Sequence, residues 1–381
     1  MSNGVETGTP GAVVGWAREQ SPPAVEFDAG SDLAFGNAFT PTMVSLRWTV
    51  ERGWHDGTVG PHRPIPLPPS MVGLHYGQVV FEGLKAFRTP DGDVSVFRLT
   101  DHARRFARSA ARLAIPTLPE ELFVAAVEEL VRADAAALPK HPRQSLYLRP
   151  IVFADDPCLA LRPARSYRFV LIAFVTEEFF EGSEGVSVWA SDTYVRAVPG
   201  GVGAAKFAGN YAPGYLAQAE AAEHGCQQVL WLDAVERRRV EEMGGMNVFL
   251  VQHGPAGTSL VTPPLNGTIL AGVTRDSLLT LARRLGLRGV ERPIVLDDWR
   301  TSAAEGVTRE AFACGTAAVL TPIRQVVTRQ GAWTAGADPD HPVTSMLRRA
   351  LTGIQRGPAD DPYGWRHVIR SGQAGTGVDP Q

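Results

Sequence analysis

From Met43 onward, short apolar segments that are typical of β-strands alternate with apolar stripes that are typical of helices. This alternation predicts an α/β protein, and a chain of 381 residues is long enough for two domains. The strand-like segments lie at 44–50, 94–99, 145–154, 167–175, 186–191, 228–234, 240–243, 246–252 and 317–322, and the helical stripes lie at 101–115, 121–134, 215–225 and 274–286.

The segment EEFFEGSEG at 177–185 interrupts this alternation. It is acidic, it contains glycine, and its two phenylalanines do not continue a strand pattern. We therefore predict an interdomain loop at 177–187, between an N-terminal domain over 1–176 and a C-terminal domain over 188–381. Residues past about 357 are expected to form a loose tail.

The composition argues against several classes of protein. With 44% hydrophobic residues, 20% charged residues and a net charge of −3, the chain can bury a large core but has no basic field for nucleic acid or a membrane surface. Cys158, Cys226 and Cys314 lie far apart, which argues against a disulfide framework. We see no signal-peptide pattern and no apolar run near the ~18 residues of a spanning helix. These features predict a soluble cytoplasmic protein, and we expect no metal site.

The glycine-rich segment PGGVGAAKFAGNYAPG at 199–214 carries Lys206, one of only three lysines among 37 basic residues. One interpretation is a surface lysine in a turn. A phosphate-binding loop would need Gly before the lysine and Ser or Thr after it, but Ala205 and Phe207 stand there. The third interpretation is a Schiff-base lysine. Only a primary amine condenses with an aldehyde, so a chain that otherwise prefers arginine would keep lysine here.

A Schiff-base lysine that serves pyridoxal phosphate makes further demands. The ring nitrogen needs a carboxylate, the phosphate needs N–H groups and a cation, and the phenolic oxygen needs a donor. Taken singly, each candidate could be an ordinary structural feature, but their joint presence favours this cofactor. The candidates are the acidic pair Glu241–Glu242, a helix start at Gly272–Val273–Thr274 with Thr274 as the expected cap, the small-residue turn at 314–317, Arg105, and Tyr211 at an expected helix start.

Eight segments match a known family in order and spacing: LHYGQVVFEGLKAF (74–87), FRLTDHARRFARSAARLAIP (97–116), LYLRP (146–150), GGVGAAKFAGNYA (200–212), QVLWLDAVERRRVEEMGGMN (228–247), GTILAGVTRDSL (267–278), FACGTAAV (312–319) and LTGIQRG (351–357). Through them, residues 30–357 resemble the branched-chain amino acid aminotransferases. These are class IV pyridoxal-phosphate enzymes, and the likeness is to actinobacterial members. The same class holds D-amino acid aminotransferases and aminodeoxychorismate lyase.

The resemblance implies two α/β domains joined by a loop, with pyridoxal 5′-phosphate between them, in a homodimer. It implies that Lys206 bonds the cofactor and shuttles the proton, that Glu242 meets the ring nitrogen, and that Tyr211 meets the phenolic oxygen. The implied phosphate cradle is Arg105, Val273, Thr274 and Thr316. The implied substrate-binding positions are Phe35, Tyr76, Phe81, Tyr147, Arg149, Leu161, Phe179, Ala317 and Ala318.

By the same resemblance, Arg149 receives the side-chain carboxylate of glutamate, while Tyr76 and the turn at 316–318 hold the α-carboxylate. The expected reaction is transamination between branched-chain L-amino acids and 2-oxoglutarate. Leu161 and Phe179 stand where the family usually has Val and Tyr. A specialised paralogue for a modified branched or aromatic amino acid is therefore a second hypothesis.

Two further hypotheses are a lyase of the same fold and a relic that binds no cofactor. Arg149 beside Tyr147 disfavours the lyase. The retention of Lys206 and Glu242 disfavours the relic.

Overall fold

The computed structural model describes residues 14–20, 23, 25, 27, 33–141, 143–177, 185–357 and 359–370. Its strands belong to two sheets, with helices packed against both, which confirms the expected α/β fold. Among the residues that the structure describes, no helix is long and apolar enough to cross a membrane.

The first half of the chain supplies most of the first sheet. Its strands are β1 (Trp16–Arg18), β2 (Ala38–Phe39), β3 (Thr42–Thr49), β4 (Gly53–Pro61), β5 (Val79–Phe81), β6 (Leu84–Arg88), β7 (Val94–Phe97), β8 (Ser145–Ala154) and β9 (Ser166–Thr176). Its helices are α1 (Val72–Tyr76), α2 (Leu99–Arg112) and α3 (Glu120–Ala133), and a 3-10 turn lies at Ala135–Ala137.

The second half supplies the second sheet and one strand that returns to the first. Its strands are β10 (Val186–Ser191), β11 (Gln228–Leu232), β12 (Arg239–Met243), β13 (Met246–Gly254), β14 (Gly257–Thr262), β15 (Arg288–Glu291), β16 (Ile294–Val295), β17 (Thr308–Gly315), β18 (Val319–Thr328), β19 (Gly331–Thr334) and β20 (Arg366–Ile369). Its helices are α4 (Tyr215–Glu223), α5 (Val273–Arg284), α6 (Leu296–Ala304) and α7 (Pro342–Arg356), with 3-10 turns at Ala208–Asn210 and Ala212–Gly214.

The two sheets differ in closure. The first has the order β1-β4-β3-β9-β8-β6-β7-β20, with β2 beside β9 and β5 beside β8. The second has the order β15-β14-β13-β17-β18-β10-β11-β12-β16, with β19 beside β18. Because β12 also pairs with β13, the strands β13, β17, β18, β10, β11 and β12 form a closed ring. β10 pairs in parallel with both of its neighbours, and all six of its residues are buried, including Ser187 and Ser191.

Helix periodicity explains how the first sheet is covered. Ala103, Phe106 and Ala110 of α2 are spaced three and four residues apart, so they share one face, and that face is buried. Phe106 packs edge-on against Phe169 of β9, with ring centroids 5.9 Å apart. Helix α7 contacts strands of both sheets, and its Leu347 belongs to the core that joins them.

The turn between β11 and β12 is built around one carboxylate. Asp233 accepts hydrogen bonds from the backbone N–H groups of Val235, Glu236, Arg238 and Arg239, at 2.8–3.2 Å. Burial raises the pKa of Asp233, but these four N–H groups outweigh it and lower the pKa to about 2. The carboxylate therefore fixes the hairpin whose second strand carries the acidic pair.

The elements agree closely with the sequence-based expectations, and the main differences lie at the chain end and the loop. The tail expected past about 357 contains β20, which pairs with β7 of the first sheet. The helix predicted over 215–225 begins at Tyr215 as expected, whereas Tyr211, which was expected at a helix start, lies between two 3-10 turns. The proposed interdomain loop falls mostly on 178–184, outside the described residues, so the domain boundaries stay a prediction. The three cysteines are free thiols, as expected.

Candidate active site

A cleft with about 530 Å³ of empty space lies between the two halves of the chain. Both halves supply its walls. Gly83, Arg105 and Tyr147 come from the first half, and the remaining walls come from the lysine loop, the β12–β13 turn, the start of α5 and the β17–β18 turn. The expected site residues that line it are Arg105, Tyr147, Lys206, Val273, Thr274, Thr316, Ala317 and Ala318.

The backbone holds Lys206 firmly while its amine faces the cleft. Its N–H donates to Ser109 Oγ at 3.0 Å, and its carbonyl accepts from the Phe81 N–H at 3.1 Å. Its Nζ donates to the Tyr211 hydroxyl at 3.2 Å. A Cβ on Gly203 would clash with the carbonyl oxygen of Thr268, so this glycine permits close backbone approach.

Glu242 is buried at the end of β12. Its Oε1 accepts the Leu270 N–H at 2.8 Å, and its Oε2 lies 3.1 Å from Arg196 Nε. Burial raises the pKa of Glu242, while Arg196 and the Leu270 N–H act in the opposite direction and favour the carboxylate. Its neighbour Glu241 instead accepts from the Thr268 hydroxyl. The strand alternation thus sends the two acids to different partners.

Sequence reasoning did not find Arg196, Asn247 or Ser109. Arg196 donates to the carbonyls of Gly203 and Thr268 and pairs with Glu242, so it links the lysine loop to the acid. The amide of Asn247 donates to the Leu270 carbonyl at 3.0 Å. No local spacing rule connects these residues to their partners, because the fold alone brings them together.

The N-terminus of α5 opens into the cleft. Gly272 is the N-cap, and no side chain caps the helix, so the expectation that Thr274 caps it was wrong. Thr274 lies in the first turn, where amide groups have no acceptor within the helix. A Cβ on Gly272 would clash with Asn247 Oδ1, so the helix start fits closely against β13. Exposed amides at a helix start favour an anion.

Arg105 reaches the same end of the cleft from α2. Its Nε and Nη2 donate to the two oxygens of Glu82, at 2.8 and 2.5 Å, and its Nη1 donates to the Ala271 carbonyl at 3.3 Å. Glu82 is another residue that sequence reasoning missed. Burial alone would raise its pKa, but Arg105 and His102 outweigh burial and hold the pKa of Glu82 well below its usual range.

Arg149 stands in a group of aromatic rings near the lysine. Its guanidinium carbon lies 4.9 Å from the ring centroid of Phe81, 5.4 Å from that of Tyr147 and 5.9 Å from that of Phe35. The ring of Phe81 in turn lies 5.0 Å from that of Tyr211. Arg149 Nε is buried and has no hydrogen-bond partner among the described residues. An unpartnered buried donor of this kind suits a ligand acceptor.

Tyr76 and Leu161 do not line this cleft among the described residues. The Tyr76 hydroxyl donates to the Leu159 carbonyl at 3.0 Å, and the side chains are exposed, at 48% for Tyr76 and 86% for Leu161. Phe35, Phe81 and Arg149 do not line the cleft either but belong to the aromatic group beside the lysine, and Phe179 lies outside the described residues.

Comparison with known proteins places this arrangement in a family. The family model described as Amino-transferase class IV matches residues 79–326. The branched-chain-amino-acid aminotransferase of Mycobacterium tuberculosis (strain ATCC 25618 / H37Rv) is 52% identical over 335 residues, which cover 87% of this chain and 90% of that protein. A probable branched-chain-amino-acid aminotransferase of Streptomyces coelicolor is 48% identical over 337 residues, covering 88% and 92%.

Solved structures of branched-chain amino acid aminotransferases are also similar to this chain. The branched-chain amino acid aminotransferase from Escherichia coli has a TM-score of 0.68 at 28% identity, covering 87% of this chain and 100% of that chain. Another branched-chain amino acid aminotransferase, solved in complex with N-(5′-phosphopyridoxyl)-L-glutamate, has a TM-score of 0.67 at 27% identity, covering 86% and 99%.

The chain belongs to the class IV aminotransferases, and it is an aminotransferase that uses pyridoxal 5′-phosphate. Within that family it is similar to proteins named branched-chain-amino-acid aminotransferases, including actinobacterial ones. The cleft fits the cofactor: an amine and an open helix N-terminus line one space, and the buried carboxylate of Glu242 is hydrogen-bonded to Leu270 of its wall.

We predict that Gly272→Ala weakens pyridoxal phosphate binding about tenfold, because the new Cβ must displace Asn247 or the start of α5. The dissociation constant is measured by titrating the apoenzyme with the cofactor. Gly254→Ala is the matched control, since a Cβ there meets nothing within 4 Å. Equal affinity of Gly272→Ala and Gly254→Ala would contradict the role of the helix start.

Proposed function

We propose that this enzyme transfers the amino group between branched-chain L-amino acids and 2-oxoglutarate, giving a branched 2-oxo acid and glutamate. One observation carries the proposal. The lysine amine and the Arg149 guanidinium both lie against the ring of Phe81, at 5.0 and 4.9 Å from its centroid, and Arg149 Nε is buried without a hydrogen-bond partner among the described residues. The similarity to named branched-chain-amino-acid aminotransferases supports the same substrates.

The cofactor would be held at four points. Lys206 would supply the amine that bonds its aldehyde, Glu242 would hold the ring nitrogen, and Tyr211 would donate to the phenolic oxygen. Its phosphate would lie at the other end of the cleft. The residues there are Arg105, Val273, Thr274 and Thr316. When bound, pyridoxal phosphate supplies a ring that accepts the electrons left at the substrate α-carbon.

Proton transfer falls to Lys206. The Lys206 Nζ would act as the base that takes the proton from the substrate α-carbon and would hold that proton until it is returned. The Tyr211 hydroxyl, 3.2 Å from Nζ, positions the amine. Burial raises the pKa of Glu242, whereas Arg196 beside it favours the carboxylate, the form that would hold a proton on the ring nitrogen. The two half-reactions share one site, so ping-pong kinetics follow.

The substrate side chain would meet the cluster of Phe35, Phe81, Tyr147 and Arg149. The three rings offer apolar surface for a branched aliphatic side chain. The guanidinium offers charged N–H donors for the side-chain carboxylate of glutamate. The turn at 316–318 would hold the α-carboxylate that both substrates share.

We further propose a homodimer in which Tyr76 and Leu161 of one subunit reach the cleft of the other. Leu74, Tyr76, Leu159 and Leu161 are all substantially exposed, at 48–86%, and the hydrogen bond from Tyr76 to Leu159 ties two of them together. Exposed apolar groups of this kind mark interfaces. A cytoplasmic location stays a prediction from the sequence.

Lys206→Ala is expected to remove the visible absorbance of lysine-bound cofactor and to lower turnover about a thousandfold or more. Lys140→Ala is the matched control, because Lys140 is an exposed lysine. The measurements are absorbance spectra and transamination rates with glutamate as the amino-group donor. Near wild-type transamination by Lys206→Ala would refute the assignment of the lysine.

Arg149→Met is expected to raise KM for 2-oxoglutarate about 10- to 100-fold, because the side-chain carboxylate loses its cation. KM for 2-oxoisocaproate should change little in the same variant, which makes the aliphatic substrate an internal control. A uniform rise for both substrates would mean general damage rather than loss of a carboxylate partner.

The wild-type enzyme is also assayed with 2-oxoisocaproate, 2-oxoisovalerate and phenylpyruvate, and the three reaction rates are compared. We expect the two aliphatic acids to react faster. Poor activity on both would favour a specialised paralogue that acts on a modified or aromatic substrate.

Leu161→Asp is expected to shift the holoenzyme from dimer to monomer in analytical ultracentrifugation, because a charge would be buried at the interface. Leu216→Asp is the control, since Leu216 is also an exposed leucine, at 61%. A dimer of unchanged affinity in Leu161→Asp would exclude this surface from the interface.

A further inference from the structure

We propose that Glu82 is a positioning residue for the cofactor: its carboxylate fixes the Arg105 guanidinium so that this cation can serve the phosphate end of the cleft. The inference rests on the proposed placement of the phosphate at Arg105. It adds a residue that no motif or resemblance singled out, and it assigns to that residue a measurable effect on cofactor affinity.

Two hydrogen bonds join the Glu82 carboxylate to the Arg105 guanidinium. Glu82 is fully buried, and both of its oxygens accept from Arg105, at 2.8 and 2.5 Å. Its Oε1 also accepts the Gly83 N–H at 2.7 Å. Two parallel hydrogen bonds between a guanidinium and a carboxylate fix the plane of the guanidinium as well as its position.

The opposite side of Arg105 is held by the second half of the chain. Its Nη1 donates to the Ala271 carbonyl at 3.3 Å, one residue before the N-cap of α5. Arg105 is therefore fixed between Glu82 and the start of the helix whose amides face the cleft. A long arginine side chain that is ordered before the ligand arrives loses less conformational entropy when it binds.

His102 closes the remaining side of the pair. Its Nδ1 lies 3.3 Å from Glu82 Oε1 and 3.4 Å from Arg105 Nη2. Burial lowers the pKa of His102, which favours the neutral imidazole beside the ion pair of Glu82 and Arg105.

The position of Glu82 in the chain relates it to the lysine as well. The Phe81 N–H donates to the Lys206 carbonyl, and the Glu82 N–H donates to the Pro150 carbonyl at 2.8 Å. Phe81 contacts Tyr211, whereas Glu82 contacts Arg105. Two successive residues therefore position the two ends of the cleft, one beside the amine and the other beside the phosphate cradle.

Charge and geometry make opposite predictions for Glu82. Its negative charge opposes a phosphate dianion, so removing that charge would tighten cofactor binding if charge dominated. If positioning dominates, binding weakens because Arg105 loses the acceptors that hold it. Buried ion pairs contribute little net stability compared with apolar replacements, so stability alone does not explain why this pair is kept beside the cleft.

The test is the dissociation constant of pyridoxal phosphate, measured on apoenzymes by cofactor titration. We expect Glu82→Gln to weaken binding about 10- to 100-fold and Glu82→Asp to weaken it less. Affinity for pyridoxal, which lacks the phosphate, should be the same in Glu82→Gln and wild type. A general structural defect would weaken both ligands equally.

Arg105→Met separates this inference from the proposed phosphate placement. If Arg105→Met binds pyridoxal phosphate as tightly as wild type, the placement fails. Two outcomes would refute only the inference about Glu82. In the first, Arg105→Met weakens pyridoxal phosphate binding but Glu82→Gln does not. In the second, Glu82→Gln tightens pyridoxal phosphate binding. Where both single variants weaken binding, the double variant should match Arg105→Met, because Glu82 acts through the arginine.

Thermal unfolding of the apoenzymes provides the folding control. Should Glu82→Gln fail to fold because Arg105 is left as a buried unpaired charge, Glu82→Asp carries the test, since it keeps the charge and only shortens the side chain. Wild-type affinity for pyridoxal phosphate in Glu82→Asp would then overturn the proposal.

Discussion

The site depends on the backbone hydrogen bond from Phe81 N–H to the Lys206 carbonyl, which joins the first sheet to the lysine loop. An isolated bridge between Val80 and Phe207 continues this contact. Other bonds between the two halves lie around it: the Lys206 N–H donates to Ser109, and Lys85 donates to the Ala317 carbonyl at 2.8 Å. Because these bonds surround the cleft, a shift of one half against the other would displace the amine from its partners.

The second constraint is the burial of charge. Glu82, Arg105, Arg196 and Glu242 have side chains that are nearly inaccessible, and each lies beside an opposite charge. An uncompensated charge at this depth would neutralise or disrupt the fold, so the pairs must form together. Each pair also does a separate task. One fixes a cation near the helix start, and the other places a guanidinium that favours the charged form of Glu242.

Periodicity and chemistry together predicted much of this from the sequence. The apolar stripes predicted α2 and α3, and the demand for an amine singled out Lys206. The residues that were missed, Glu82 and Arg196, have partners distant in the chain, and a charged residue far from its partner looks like any solvated one. The exposed positions of Tyr76 and Leu161 could not be foreseen either, because a resemblance assigns a residue to a pocket without saying which subunit's pocket it enters.

Under the proposed function, Arg149 raises the question of how one site would accept both an aliphatic and an acidic side chain. A guanidinium buried against a branched side chain would normally lose its water without gaining a partner. Here it lies within 6 Å of three aromatic ring centroids, each of which attracts a cation. The rings can therefore compensate the guanidinium when the substrate is apolar. When the substrate is glutamate, the carboxylate supplies a stronger, charge-assisted partner. In the proposed function, the same aromatic cluster would thus provide apolar surface for one substrate and lower the cost of keeping the cation that the other needs.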